Sequence, residues 1–384
     1  MRGFNKIEYQ KRVKDLQVNM QNNNIDLTLI TSPHNFRYFT GLDSYFWESP
    51  TRPWFLLISQ NKNPVAIIPS IGKTALQKTW IKEIKTWPSP QPKDEGVSEL
   101  KKYISKVLPN KGNIGCELGL ESHLRMSIND FDYLRNSLSN LKFIDASIII
   151  WKQRIIKSQN EIKKIKEIIL IASKVFDNFQ NQINIGMTEI EICKIFKKEL
   201  INEGADHTLY MSCSSGSGGY DQIICDPSDK IIQNGDIMVI DTGTTLDGYF
   251  CDFNRNYGFG SISKESINAY NYLWEATERT LDKLRPGISC AEIYESLFDV
   301  LKNTGLQSNN VGRMGHGLGL QLTEPPSIMK KDKSVLEENM IITIEPSLEY
   351  SPGKMLVHEE NVLITKGGYE LLSSRTPKKL PIVK

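Results

Sequence analysis

The sequence predicts two domains: an α/β domain over residues 1–150, and an α+β domain over residues 151–384 that contains an internal duplication. The chain of 384 residues is longer than one ordinary hydrophobic core supports. Short apolar runs alternate with helical patterns in the first part, as in α/β domains. In the second part, one helix-capping pattern occurs twice, and a pair of acidic residues follows each copy.

The first 150 residues alternate between the two kinds of element. An amphipathic helix is predicted over 6–24 and is followed by a buried strand at Leu27–Thr31. Further strands are predicted at 55–58 and 65–68, and helices at 71–84 and 96–107. This alternation predicts one α/β domain.

An aromatic segment, Tyr45–Phe55, interrupts this alternation and has two interpretations. In the first, its rings pack against the core of the domain. In the second, Arg52 pairs with a substrate carboxylate while Trp47 or Trp54 covers an apolar or cationic group of the substrate. The sequence leaves both interpretations open.

The domain boundary is predicted near Trp151, because a capping box formed by Ser158 and Glu161 then opens an amphipathic helix. A second capping pattern, Gly186 to Glu191, recurs 101 residues later as Gly287 to Glu292. The acidic pairs that follow the two copies are offset by 104 and 107 residues. They are Asp241 with Asp252, and Glu345 with Glu359. These similar offsets predict an internal duplication with the acidic residues where the two halves meet.

Four carboxylates and one imidazole are the candidate metal ligands: Asp241, Asp252, His316, Glu345 and Glu359. Each residue lies in or next to a short apolar strand or is flanked by glycines. Hard carboxylate oxygens with one imidazole suit divalent Mn, Co, Fe or Zn. Four acidic groups in one pocket repel one another unless cations neutralise them. The sequence therefore predicts a site for two metal ions.

The local sequence around each candidate supports this hypothesis. Asp241 ends an apolar run, and the turn at Asp247 predicts a hairpin that returns Asp252 to the same face. Glycines on both sides of His316 let the backbone approach a polar centre closely. Glu345 closes an apolar strand, where an unpaired carboxylate is costly.

Composition excludes several other classes of protein. The 47 basic and 45 acidic residues are dispersed and give a net charge of +2, so no basic stripe predicts nucleic-acid binding. Six scattered cysteines without metal-site spacing predict reduced thiols. With no signal peptide and no long apolar run, we expect a cytoplasmic protein without membrane contact.

The C-terminal part resembles the pita-bread metallohydrolases, which include prolidase, aminopeptidase P, methionine aminopeptidase and creatinase. The matching stretches are I-D-T-G at 240–243, D-F-N-R at 252–255, G-H-G-L-G-L at 315–320, T-I-E-P at 343–346 and H-E-E-N at 358–361. The resemblance implies a creatinase-like α/β N-terminal domain and a pita-bread catalytic domain with a pseudo-twofold duplication. It also implies a homodimer that acts on a dipeptide or another small molecule.

The resemblance further implies a role for each ligand. Asp241 would bind one metal and His316 the other, while Asp252 and Glu359 bridge the pair. Glu345 would be both a ligand and the group that passes a proton to the leaving nitrogen. The implied reaction is cleavage of an amide C–N bond by an activated water, as in Xaa-Pro dipeptidases.

Three positions depart from the peptidase pattern. Ile224 and Thr323 occupy the places of two family histidines and are expected to line the substrate pocket, and Val357 replaces an arginine. These departures keep a second hypothesis open, a non-peptide amidohydrolase of the ectoine-hydrolase type. A metal-dependent lyase is disfavoured because Gly243 replaces that branch's aspartate. A non-catalytic binding module is disfavoured because the ligand set is complete.

Overall fold

A computed structural model describes residues 2–49, 52–302 and 312–384. It separates the chain into two compact units, Met1–Arg154 and Ile155–Lys384. The sequence-based boundary after residue 150 falls inside the helix that ends at Arg154. The unit boundary therefore follows the end of this helix.

The N-terminal unit is a six-stranded mixed sheet with helices. The strand order is β4-β3-β2-β1-β5-β6, with β2 antiparallel to both β1 and β3 and the other neighbours parallel. Its helices are α1 (Lys6–Asn22), α2 (Pro33–Thr40), α3 (Lys73–Gln77), α4 (Val97–Val107), α5 (Ile128–Ser137) and α6 (Ser147–Arg154). Its strands are β1 (Leu27–Ile30), β2 (Phe55–Ser59), β3 (Val65–Pro69), β4 (Glu83–Trp87), β5 (Gly112–Cys116) and β6 (Leu141–Asp145).

The predicted helix over 71–84 is wrong in its second half. Only Lys73–Gln77 is α-helical, and Glu83–Trp87 forms β4 in parallel register with β3. The indole of Trp87 is buried in the core of this unit. Strand pairing and the burial of this ring outweigh the local helical pattern, because strand formation depends on packing as much as on propensity.

The C-terminal unit contains two antiparallel-rich sheets with helices. Its first half contains α7 (Gln159–Phe179), α8 (Glu189–Asn202), β7 (His207–Ser217), β8 (Asp236–Leu246), β9 (Tyr249–Phe250) and β10 (Phe253–Phe259). Its second half contains α9 (Lys264–Leu281), α10 (Cys290–Leu301), β11 (His316–Gly317), β12 (Glu324–Ser327), β13 (Ile341–Ile344), β14 (Ser347–Ser351), β15 (Lys354–Val357), β16 (Glu360–Thr365), β17 (Gly368–Leu371) and β18 (Ile382–Val383). One sheet has the order β18-β10-β8-β7 with β9 beside β8, and the other has β12-β11-β13-β16-β17.

The predicted duplication is present in the structure. Helices α8 and α10 begin with complete capping boxes, made by Thr188 with Glu191 and by Ser289 with Glu292. Each cap residue also forms an isolated antiparallel bridge, Thr188 to residue 231 and Ser289 to residue 335. The glycine two residues before each cap has the same φ of +95°. The two halves therefore repeat the same helix entry in detail.

Helices bury the strands that carry the candidate ligands. In α7 the apolar face predicted from the sequence is buried: Ile162, Ile165, Ile168, Ile169 and Ala172. Residues of α9 and α10 share a core cluster with residues of β8, β13 and β16. Among the helices that the structure describes, none has the length and apolar character needed to cross a bilayer. The ligand-bearing strands thus lie in a closely packed interior.

Candidate metal centre

The hairpin between β8 and β10 brings both aspartates to one face. Asp241 on β8 is directly opposite Asn254 on β10, and Asp252 precedes Asn254 by two residues. Because side chains alternate along an extended segment, Asp252 shares the face of Asn254 and Asp241. The turn residue Asp247 has a positive φ of 49° and forms an ion pair with Lys164 at 2.8 Å. It is a turn residue, as predicted, rather than a ligand.

The glycines beside His316 fit close backbone contacts. A Cβ on Gly315 would lie 2.2 Å from the carbonyl oxygen of Thr343, and one on Gly317 would lie 2.3 Å from that of Pro325. The imidazole Nδ1 lies 2.9 Å from the carbonyl oxygen of Gly317. Since that contact requires Nδ1 to donate its proton, Nε2 of a neutral ring presents a lone pair. The glycines therefore place one metal-binding nitrogen in the interior.

Glu345 and Glu359 stand at the ends of two paired strands. Glu345 follows β13 and Glu359 precedes β16, and the register pairs Ile344 with Glu360. The Glu345 N–H donates to the carbonyl oxygen of Met314 at 2.9 Å. This ladder is the second-half counterpart of the β8–β10 hairpin, so each half contributes one acidic pair.

All five predicted ligands converge. His316 Nε2 lies 3.4 Å from Asp252 Oδ2 and 3.8 Å from Glu345 Oε2. One ligand atom each from Asp252, His316 and Glu359 lies within 4.8 Å of the others. Asp241 and Glu359 each shift the pKa of the other, which places the two carboxyl groups side by side. The structure thus brings together every ligand that the sequence predicts.

Burial changes the protonation of the site. It raises the pKa of Asp241 to about 6. Burial, together with the charge of Asp241, raises the pKa of Glu345 to about 8. The pKa values of Asp252 and Glu359 are raised well above their ordinary range, first by burial and then by neighbouring carboxylates. Burial lowers the pKa of His316 to about 4, so its ring is neutral. Without a compensating cation, Glu345 retains its proton near neutral pH.

The donor set fits divalent cations. Asp241 Oδ1 is buried and has no hydrogen-bond partner among the described residues. A buried acceptor without a partner is costly, and a cation would satisfy it. The neutral imidazole and four carboxylates are the ligand types of Mn²⁺, Co²⁺, Fe²⁺ and Zn²⁺ sites.

Polar residues behind the ligands fix their positions. Asn361 accepts the N–H of Asp252 at 3.1 Å and donates to the carbonyl oxygen of the same residue. Asn254 Nδ2 donates to Glu359 Oε2 at 3.1 Å. Arg255 donates to the Glu359 carbonyl oxygen at 2.9 Å and pairs with the buried Glu360. Such contacts orient metal ligands before a metal binds.

The cluster opens into a pocket of about 400 Å³. Asp241, Asp252, His316 and Glu345 line one part of it. Two of the predicted substrate-binding residues line another part: Ile224, which is 80% exposed, and Thr323. Val357 lies in the wall as well, and the Leu322 side chain occupies the space next to Gly243.

Two pocket residues were missed by the sequence analysis. Tyr210 donates its hydroxyl proton to Asp241 Oδ2 at 3.3 Å, and Arg313 Nη2 donates to Thr323 Oγ1 at 3.2 Å. Arg313 stands three residues before His316, and this nearness in sequence was the available signal. The register of β7 with β8 shifts between Thr208 and Tyr210, so strand alternation does not predict where Tyr210 points.

The aromatic segment packs within the N-terminal unit. Trp54 is 2% exposed, and its ring meets those of Phe36 and Trp47 edge-on, with centroids 5.8 and 6.4 Å away. The Arg52 guanidinium lies over the Phe46 ring, 5.2 Å from its centroid. Residues 50 and 51 lie outside the described residues. Substrate contact by Arg52 and Trp54 stays a prediction.

A buried cluster of four carboxylates and a neutral imidazole, built by two duplicated strand pairs, defines the class of metal-dependent hydrolases. A family model described as "Metallopeptidase family M24" matches residues 163–366, and one described as "Creatinase/Prolidase N-terminal domain" matches residues 12–156. The chain therefore belongs to metallopeptidase family M24 and carries the creatinase/prolidase N-terminal domain. This confirms the fold class predicted from the sequence.

Individual relatives agree with this assignment. The chain is 27% identical to the Xaa-Pro dipeptidase of Lactobacillus helveticus, over 96% of this chain and 98% of that protein. It is 26% identical to the X-Pro aminopeptidase of Thermotoga maritima, with a TM-score of 0.82 over 97% and 99% of the two chains. The prolidase of Thermococcus sibiricus, at 23% identity, has the same fold with a TM-score of 0.88 over 97% and 99%. The chain is a metallopeptidase that resembles Xaa-Pro dipeptidases and aminopeptidase P.

Proposed function

We propose that this metallopeptidase holds two divalent cations and cleaves the amide bond of Xaa-Pro dipeptides. The five candidate ligands are Asp241, Asp252, His316, Glu345 and Glu359. The observation that carries the proposal is their convergence in one buried cluster, in which each half of the duplicated domain contributes two carboxylates. Two divalent cations would balance four carboxylate charges, which accounts for their burial together.

The chain's own residues supply proton transfer and orientation. Divalent cations in such a site polarise a substrate carbonyl and make water acidic enough to attack it near neutral pH. Glu345 faces the pocket with 24% of its side chain exposed, so it can accept a proton from water and pass it to the leaving nitrogen. His316 offers Nε2 as a ligand, with its ring fixed through Nδ1. Tyr210 holds one oxygen of Asp241.

The wall of the pocket favours a second candidate function, hydrolysis of a small non-peptide amide. Ile224 lies exposed in this wall, and the Thr323 hydroxyl accepts a hydrogen bond from Arg313. Neither side chain can donate a proton near neutral pH as an imidazole does. A cyclic amide of the ectoine type needs fewer peptide contacts than an Xaa-Pro substrate. The homodimer implied by the family resemblance and the cytoplasmic location expected from the sequence also stay predictions, and light scattering tests the first.

The test combines metal analysis with turnover. Protein purified without chelator is expected to carry divalent metal, and the Mn²⁺- or Co²⁺-loaded protein to release proline from Xaa-Pro dipeptides. Glu345→Gln should lower kcat by at least about 100-fold, because general acid–base groups contribute roughly 10²–10⁴-fold. The matched control is Glu338→Gln at an exposed position before the same strand.

Three results would change the assignment. Turnover of a cyclic amide without turnover of dipeptides would replace the first substrate class with the second. Full activity in Glu345→Gln would remove that residue from the reaction. Protein that neither contains nor binds divalent metal would contradict the metal centre.

A further inference from the structure

We infer that Lys157, through its ion pair with Glu324, positions His316 for metal binding. This inference rests on the metal centre of the proposed function and adds a positioning residue to the five ligands. Lys157 immediately precedes the cap of α7, and Glu324 begins β12. The segment of residues 317–321, between His316 and Glu324, forms a turn that is referred to as the glycine turn.

Lys157 and Glu324 form an ion pair in the interior of the C-terminal unit. Nζ of Lys157 lies 2.8 Å from Oε2 of Glu324, and the two side chains are 2% and 1% exposed. Taking two charges out of water largely offsets their mutual attraction, so an apolar pair of the same volume is often at least as stable. Stability alone therefore does not account for the pair. It does fix one arrangement of the two segments, because any other arrangement separates the buried charges.

The Glu324 carboxylate lies against the glycine turn. Its Oε1 accepts the N–H of Gln321 at 3.2 Å, and a Cβ on Gly319 would lie 2.8 Å from both carboxylate oxygens. The backbone of Glu324 also pairs with that of Gly317, between β12 and β11. The Gly317 carbonyl oxygen in turn accepts the Nδ1 proton of His316 at 2.9 Å. A displacement of the carboxylate is therefore passed to the group that orients the imidazole.

Lys157 is held in place by its backbone. Its N–H donates to the carbonyl oxygen of Asn339 at 3.0 Å, just before β13 begins. The next residue, Ser158, caps α7 in a complete capping box. Because both neighbouring elements hold the backbone, the ammonium group of Lys157 reaches Glu324 from a fixed position.

The glycine turn is also bound to the segment that carries Asp252. The N–H of Phe250 donates to the carbonyl oxygen of Gly319 at 2.8 Å, and Phe250 precedes Asp252 by two residues. The turn is thus held from one side by the ion pair of Lys157 and from the other by Phe250. These two contacts set the position of His316 relative to Asp252, whose Oδ2 lies 3.4 Å from the imidazole Nε2.

Removal of the Lys157 charge would disturb this arrangement. The Glu324 carboxylate would lose the cation 2.8 Å away and, at 1% exposure, would gain little hydration in its place. To regain polar contacts it would have to move toward solvent or draw water into the glycine turn. Either change displaces the Gly317 carbonyl group and turns Nε2 of His316 away from Asp252. Metal binding therefore depends on Lys157.

The test measures Co²⁺ binding to the metal-free protein, which requires no substrate. Lys157→Met should lower the affinity for Co²⁺ by roughly 10–100-fold, the usual effect of removing a residue that orients metal ligands. The visible absorption spectrum of the bound Co²⁺ should change as well, because it depends on the ligand geometry. Lys163→Met, at an exposed lysine of α7, is the matched control and should bind Co²⁺ as the wild type does.

A double variant tests whether the unmatched charge is the cause. Lys157→Met combined with Glu324→Gln removes both charges and keeps an acceptor for the N–H of Gln321, so it should recover most of the affinity. An affinity that stays as low as in Lys157→Met would overturn the ion pair as the positioning contact. If Lys157→Met does not fold, Glu324→Asp replaces it, since this change keeps both charges and only shortens the carboxylate side chain. Glu324→Asp should lower the affinity, and wild-type binding would overturn the inference.

The same measurements separate positioning from stability. A residue that acts on stability alone would lower the denaturation midpoint of Lys157→Met but leave the Co²⁺ affinity and spectrum of the folded protein unchanged, and that result overturns the inference. Circular dichroism verifies that each variant is folded during the titration. Wild-type protein that binds no Co²⁺ would contradict the metal centre itself, whereas equal binding by wild type and folded Lys157→Met overturns this inference alone.

Discussion

The ligand cluster and the wall of the same pocket differ in how closely their residues match those that the peptidase resemblance implies. The cluster contains the five residues predicted as metal ligands, and strand ladders, close glycine contacts and polar residues hold them in place. In the wall, Ile224 and Thr323 stand where the family resemblance implies histidines, and the wall also contains Arg313 and Tyr210. The predicted metal centre thus matches the family resemblance, whereas the predicted substrate contacts depart from it.

This difference follows from how many interactions depend on each residue. A ligand such as Asp252 contacts the other ligands, and its backbone is held on both sides by Asn361. Changing it disturbs several groups that depend on one another. Ile224, with 80% of its surface exposed, has few neighbours to disturb. The wall can therefore change its specificity while the cluster keeps its chemistry.

The largest expected effect tests the cluster and concerns the stability of the metal-free protein. Glu345 has an ordinary pKa of 4.5, and burial raises it to about 8 in the fold. The folded state therefore binds more protons than the unfolded state between these values, and stability falls as pH rises through that range. We expect chelated protein to lose on the order of 3 kcal/mol of unfolding free energy between pH 5 and pH 8. Chemical denaturation at both pH values measures this loss.

Two controls isolate the cluster in that experiment. Added Mn²⁺ should restore the stability at pH 8, because a ligand that binds only the folded state stabilises it. Glu345→Gln, which cannot ionise, should reduce the pH dependence of the chelated protein. An unchanged pH dependence in Glu345→Gln would show that ionisation of Glu345 does not cause it.

The features that were predictable from the sequence are those that local patterns encode. The capping boxes at Thr188 and Ser289 need only two residues three positions apart, and both are present. The hairpin around Asp247 follows from an Asp-Gly turn between apolar runs. Because side chains alternate along a strand, His358 and Glu359 point to opposite faces, and the His358 ring packs edge-on against Tyr270. Alternation along the strand places Val357 in the pocket wall.

The features that were not predictable depend on contacts between distant segments. Tyr210 reaches Asp241 because the strand register shifts just before it, and no local pattern marks that shift. The hydrogen bond from Arg313 to Thr323 joins residues on either side of the β11 strand. Glu83 and Ile84 lie in a strand rather than in the predicted helix because β4 pairs with β3 and buries the ring of Trp87 in the core of the N-terminal unit. In each case tertiary packing decides where the side chain lies.

An intermediate effect tests the wall. Ile224→His combined with Thr323→His places imidazoles where the family resemblance implies them. We expect kcat/KM for Xaa-Pro dipeptides to rise by about 10-fold, since a positioned proton donor adds this much or more. Ile231→His, at another exposed isoleucine, is the control and should have no effect. A fall in dipeptide turnover together with an unchanged metal content would show that the present wall is adapted to a different substrate.

The smallest expected effect lies where the wall and the cluster meet. Tyr210→Phe removes the hydroxyl that donates to Asp241 Oδ2 at 3.3 Å and leaves the ring in place. A single hydrogen bond to a charged acceptor contributes about 1.5–3 kcal/mol. Because the bond from Tyr210 to Asp241 is long, its contribution should lie at the lower end of this range, and its loss should reduce metal affinity about 10-fold. Competition with a chelator measures that affinity, and Tyr272→Phe on α9 is the control. A lower kcat with unchanged metal affinity would instead mean that the Tyr210 hydroxyl acts on the substrate.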